Sequence, residues 1–124
     1  MIRSDLKECR KPKRSNRRER CMPLIDQIQK KIAAEQFEFS KHAVDQSIIR
    51  RISVQELREA IASGEIIEDY PEDKYGPSCL IYGRTRADRP LHVQCSYPSR
   101  TRVKIITVYK PDPARWIDFK QRRR

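Results

Sequence analysis

The chain has 124 residues, enough for one domain with a modest core and too few for two. It carries 28 Lys and Arg against 17 Asp and Glu, a formal net charge of +11, which points to a polyanionic partner, most simply nucleic acid. No apolar run suits a membrane span or a signal peptide, and Cys9, Cys21, Cys79 and Cys95 form no C-x-x-C pair. Neither a zinc site nor a disulfide framework is therefore expected, and the cytoplasm is the expected location.

The charge is uneven along the chain. Residues 1–22 hold nine Lys and Arg against three acids, residues 100–124 hold nine against two, and residues 23–99 hold ten against twelve. Residues 1–22 have too little apolar surface to fold alone and are expected to form a flexible basic arm. Three readings of that arm stay open: it contacts phosphate, it has no role, or it precedes a true start at Met22. Residues 23–124 are expected to form the single folded domain.

Pro23 suits the first turn of a helix in which Leu24, Ile25, Ile28 and Ile32 recur at helical spacing. Phe37 and Phe39 alternate in a short extended piece. Ser40 reads as the N-cap of a second helix, from Lys41 to about Arg51. Val44, Ile48 and Ile52 form one apolar stripe there, and His42, Gln46 and Arg50 share another. Ser53-Val54-Gln55-Glu56 is a capping box that opens a third helix. Its residues Val54, Leu57, Ala60 and Ile61 are expected to face the core, and Gly64 to take the left-handed position after its end.

Four strand-like runs follow. They are Glu65 to Tyr70, Ser78 to Arg84, and a hairpin from Pro90 to Tyr109 whose second half has the β-branched centre Ile105-Ile106-Thr107-Val108. Cys79 and Cys95 fall inside these runs and read as small buried apolar residues. Asp112-Pro113 resembles a helix start, so a short final helix is expected around Trp116. The fold expected is α+β, with the N-terminal helices on one face of a four-stranded antiparallel sheet and a short C-terminal helix.

The hairpin carries the most suggestive polar residues. With a four-residue loop over Pro98 to Thr101, His92 lies opposite Thr107, and Leu91, Val93, Ile106 and Val108 share the core face. His92, Gln94, Ser96, Thr107 and Tyr109 then share the other face, with Val103 and Ile105 among them. A slip of one residue would reverse one strand's faces.

RNA cleavage without a metal needs a base for the 2′-hydroxyl, an acid for the leaving oxygen, and cations for the phosphate. Histidine suits the first two roles and arginine the third. The candidates are His42, His92, Arg50, Arg51, Arg84 and Tyr109. The acidic run from Glu65 to Asp73 is explained more simply by a strand and a solvated turn than by a metal-dependent nuclease. No cofactor fingerprint is present, so no cofactor and no metal are expected.

The segments FSKHAVDQSIIRRIS, VQELREAIASGEIIEDYP, YGPSCLIYG, RPLHVQCSY and VKIITVYKPDPARW together resemble the DUF4258 family of small bacterial proteins. That resemblance implies a place beside RelE, barnase and colicin-like ribonucleases, many of whose relatives are toxins of toxin–antitoxin pairs. It implies a ribonuclease-like fold with recurring polar residues at His42, Arg50 or Arg51, His92 and Tyr109.

The leading expectation is a toxin-type endoribonuclease with His42, His92, Arg50 and Tyr109 as catalytic residues. Arg51, Arg84, Gln94, Arg102 and Lys104 would bind RNA, on the ribosome or free. A separate acidic antitoxin protein would cover the basic sheet face. A non-catalytic RNA- or ribosome-binding module and a protein-interaction domain are the alternatives.

Overall fold

The structure is a computed structural model and describes residues 23–74 and 76–123. The expected basic arm, residues 1–22, lies outside the described residues. The elements in chain order are α1 (Leu24–Ala33), β1 (Phe37–Phe39), α2 (Lys41–Ile49), α3 (Val54–Ala62), β2 (Glu65–Tyr70), β3 (Ser78–Arg84), β4 (Pro90–Ser96), β5 (Val103–Tyr109), β6 (Trp116–Ile117) and β7 (Gln121–Arg122).

The helix starts follow the local chemistry of the sequence. Ser40 accepts a hydrogen bond from the Ala43 amide at 3.0 Å and opens α2. Ser53 and Glu56 exchange both bonds of a capping box at the start of α3. α2 stops at Ile49, short of the expected Arg51. Arg51 turns left-handed at φ 55° and lets the Ile52 amide reach back to the Ser47 carbonyl.

Among the described residues the main sheet has five strands in the order β1-β5-β4-β3-β2, which corrects the expected four-stranded antiparallel sheet. The extra strand is the Phe37–Phe39 piece. It runs parallel to β5, pairing Phe37 with Val103 and Phe39 with Ile105, so the sheet is mixed. Two half-buried phenylalanines three residues long gave too short a signal to separate a strand from a linker. The remaining pairs are antiparallel.

The three described helices pack on one face of this sheet around a single core. Ile28, Leu57 and Ile61 meet Ile81, Leu91, Val93, Cys95, Val103, Ile105 and Val108 there. Each fully buried branched side chain contributes about 1.5–3 kcal/mol relative to exposure. Cys79 and Cys95 are fully buried in this core, directly opposite each other on β3 and β4. Gly83 sets how closely α3 approaches β3, because a Cβ there would lie 1.7 Å from the Ala60 carbonyl oxygen. Gly64 is not left-handed as expected. It too answers a close approach, with Ile81 Cγ2 2.7 Å from where its Cβ would be.

The hairpin register also differs from expectation. His92 pairs with Tyr109, Val93 with Val108 and Gln94 with Thr107, and a shift then sets Cys95 opposite Ile105. The irregularity at Ile106 lets Ile105 and Val108, three positions apart, both point into the core, which strict alternation forbids. The loop is correspondingly longer, running from Tyr97 to Arg102.

The expected C-terminal helix does not form. Asp112 does act as a cap, accepting from the Ala114 amide at 2.9 Å. The chain then enters a two-stranded hairpin in which Trp116 pairs with Arg122 and Ile117 with Gln121. Asp118 and Phe119 turn it with φ of 53° and 63°. Burial of Trp116 on the face of the sheet that no described helix covers, the helix-free face, overrides the local helical signal.

Candidate functional site

The helix-free face carries side chains from alternate positions: Glu68 and Tyr70 on β2, Leu80 and Tyr82 on β3, His92, Gln94 and Ser96 on β4, and Lys104, Thr107 and Tyr109 on β5. The β6–β7 hairpin divides this face into a covered end and an open end.

At the covered end His92 is fully buried. Its Nε2 lies 2.6 Å from the Phe119 carbonyl oxygen, which can only accept, so Nε2 carries the proton. Nδ1 is then the acceptor for the Tyr109 hydroxyl at 3.1 Å. Trp116 stands edge-on to the imidazole with ring centroids 4.4 Å apart, and Tyr82 and Tyr109 complete the aromatic box. Burial lowers the His92 pKa, partly offset by the Phe119 carbonyl and the Glu68 charge, so the ring is held neutral. Burial likewise raises the Tyr109 hydroxyl.

Beside this box, Arg122 bonds both Glu68 oxygens at 2.7 and 3.2 Å and lies 4.7 Å from the Trp116 ring centroid. Tyr70 donates a short hydrogen bond to the same carboxylate. Burial opposes ionisation of Glu68, but the bonds from Arg122 and Tyr70 outweigh it and hold the carboxyl below its usual range. Burial and the bond to Glu68 push Tyr70 up to about 12. Lys120 adds a 2.8 Å pair to Glu65, so two ion pairs and one backbone–imidazole bond fasten the hairpin down.

At the open end a cleft of ≈ 450 Å³ lies between the β4–β5 loop, the β2–β3 turn and the β1–β5 ladder. Arg100, Arg102 and Lys104 supply its positive charge, and all three are exposed and in no ion pair among the described residues. Glu38 and Asp73 are its acids, and Ser40, Ser96 and Ser99 its hydroxyls. Ser96 accepts from the Lys104 amide at 2.9 Å and Asp73 accepts from Ser78 at 3.2 Å, which fixes two of the walls.

The candidate residues named from sequence therefore separate. His92 and Tyr109 are bonded, and the Arg50 charge is within electrostatic reach of Tyr109. His42 is exposed at the first turn of α2 and takes no part in that group. Arg84 is pinned, with Nε on the Tyr82 hydroxyl at 2.9 Å, Nη1 on Asp88 at 3.1 Å, and Cζ 5.6 Å from the Phe119 ring centroid. Gln94 donates to Ser78 at 3.2 Å. Arg51 is exposed, and its carbonyl accepts from Arg89. Arg102 and Lys104 alone line the open cleft, joined there by Arg100, which sequence reasoning passed over despite its place in the same basic loop.

Arg89 was also missed. It bonds the carbonyls of Arg50 and Arg51 and both oxygens of Glu56, tying the end of α2 to the start of α3. No sequence pattern pairs residues that far apart. Trp116, Phe119 and Arg122 had a usable signal, two large aromatics and a cation in a short tail that could not bury them by itself. Among the described residues no group of three or more His, Cys, Asp or Glu is placed to hold a metal, and no helix is long and apolar enough to cross a membrane.

Comparison with known proteins gives a family match. The family model for a domain of unknown function, DUF4258, covers residues 39–110, from the end of β1 through β5, and stops before the β6–β7 hairpin. No curated protein and no solved structure matches the chain.

Proposed function

We propose, on the premise that this chain belongs to the DUF4258 family, that it is an RNA-binding protein that grips the phosphate backbone in the open cleft of its sheet. The observation that carries the reading is the set of three exposed cations, Arg100, Arg102 and Lys104, in no ion pair among the described residues, around a ≈ 450 Å³ cleft. Arginine forks match phosphate oxygens, and an exposed cluster of unpaired cations attracts a polyanion before contact. The remaining excess charge of the chain, +11 in all, acts in the same direction. Binding without turnover fits His92, whose two ring nitrogens are already engaged under the hairpin. The reading places the chain in the cytoplasm.

Titration of a labelled single-stranded RNA against the full chain tests this. The Arg102→Ala/Lys104→Ala variant is expected to bind at least about tenfold more weakly at low salt, since two phosphate contacts are lost. Equal affinity in the variant would remove the cleft from the site.

One observation favours a second reading, the toxin-type endoribonuclease related to RelE and barnase. His92 and Tyr109 are bonded, with the Arg50 charge in reach, which gathers three of the four expected catalytic residues at one end of the sheet. For His92 Nε2 to reach an RNA oxygen, the Phe119 carbonyl must first leave it. Incubation with RNA and analysis of the product ends distinguishes the two readings. The binding reading predicts intact RNA. Fragments with 2′,3′-cyclic phosphate ends, formed by the wild type and not by His92→Ala, would move the assignment to the ribonuclease.

A further inference from the structure

α2 is built the wrong way round for a helix that only covers a sheet. Its fully buried side chain is Ala43, while Gln46 and Ser47 are half-buried. The large apolar side chains point outward instead: Ile48 is 69% exposed and Ile49 77%. Val44, four residues before Ile48 and on the same side, and Val54 at the start of α3 are exposed as well. Thus four of the five exposed large hydrophobics among the described residues fall within positions 44–54. Scattered apolar side chains on a surface are ordinary, but a group confined to one helix and its exit marks a contact surface.

We infer that the outer face of α2 docks an acidic protein segment, an amphipathic helix that sets apolar side chains on Val44, Ile48 and Ile49 and carboxylates on the cations at the two ends. Those cations are Lys41 before the patch and Arg50 and Arg51 after it, all exposed and in no ion pair among the described residues. Asp45 is the one acid on the helix itself, so the local balance stays positive. RNA is a poor occupant, because isoleucine and valine offer nothing to phosphate. A second copy of this chain is opposed by charge, since it would set the same three cations, and a second net +11, against the first. An amphipathic helix of opposite charge satisfies both features. The apolar patch is distinct from the cleft, which is lined from the β4–β5 loop, the β2–β3 turn and the β1–β5 ladder and meets α2 only at its N-cap, Ser40.

The test uses the full chain and three labelled peptides on the order of 18 residues, long enough for several helical turns. One carries leucines at helical spacing flanked by glutamates. The second has lysines in place of the glutamates, and the third is a scrambled form of the first. Fluorescence anisotropy is expected to show binding of the first peptide alone, weakened by salt. Ile48→Glu/Ile49→Glu should lower that affinity at least about tenfold, as expected for central apolar anchors. Its thermal melt should be unchanged, and the milder Ile48→Ser/Ile49→Ser pair guards against misfolding. Arg102→Ala/Lys104→Ala should leave peptide binding intact, so failure of the RNA reading and failure of this one are told apart. Equal binding of the lysine or scrambled peptide, or of the acidic peptide to both isoleucine variants, would overturn the inference. So would no peptide binding, or a concentration-dependent dimer of the chain that Ile48→Glu/Ile49→Glu abolishes.

Discussion

His92 shows how one residue can be legible in position and illegible in role. Its place on the helix-free side of a central strand follows from the alternation of Leu91, Val93 and Cys95 on the other side. Its surroundings do not, because they come from Trp116 and Phe119, more than twenty residues away. The buried ring makes two predictions. His92→Ala leaves the Tyr109 hydroxyl and the Phe119 carbonyl without their partner and opens a void beneath Trp116, so urea denaturation should show a loss of about 2–4 kcal/mol. The second concerns pH. The folded His92 pKa lies below its ordinary 6.5, so as pH falls through about 6.5 the unfolded chain takes up a proton that the folded chain refuses. This stability is complete above that pH and declines below it, until the folded group protonates in turn. Thermal melts should therefore fall between neutral and mildly acidic pH, and His92→Gln should remove that part of the decline.

Elements with a strong local signature were readable, and those fixed by distant partners were not. The Ser40 cap, the Ser53–Glu56 capping box and the turns placed α2, α3, β2 and β3 to within a residue or two. β1 was legible as extended chain, but its parallel pairing with β5 rests on a match across more than sixty residues. The bulge in β5 answers a packing demand of Ile105 and Val108 together, and no residue type announces it. Val44 and Ile48 read as an apolar stripe with Ile52. Only Ile52 is buried, because the small Ala43, and not the larger pair, fits against the sheet. Two substitutions test the element contacts. Gly83→Ala places a methyl 1.7 Å from the Ala60 carbonyl and must push α3 away from β3, with an expected loss of about 2–4 kcal/mol. Ser53→Ala removes the side-chain half of the α3 capping box, and about 1 kcal/mol is expected. Denaturant midpoints measure both, and similar losses for the two would show that the α3–β3 contact is looser than described.

On the scale of the whole molecule, charge and architecture divide the surface into three. The helices and the core make a face whose outer layer, at α2, is apolar within a basic rim. The hairpin seals one end of the opposite face over His92. The other end stays open, with Arg100, Arg102 and Lys104 around it. The uneven charge of the sequence raises the expectation of a polyanionic partner, but it does not say which of the C-terminal cations pair with acids. Lys120 and Arg122 are paired with Glu65 and Glu68, while the loop cations have no ion pair among the described residues.

RNA affinity measured across a salt series, for the full chain and for Arg102→Ala/Lys104→Ala, tests this assignment at its root. The Lys and Arg residues of positions 1–22 are present in both proteins and cancel in the comparison. The logarithm of the wild-type association constant should fall linearly with the logarithm of salt. The variant should bind more weakly with a slope shallower by about 1.4, the share of two phosphate contacts on a single strand. Identical affinities and slopes for the two proteins, or no retention of RNA at low salt by the wild type, would contradict an RNA-binding cleft at this end of the sheet.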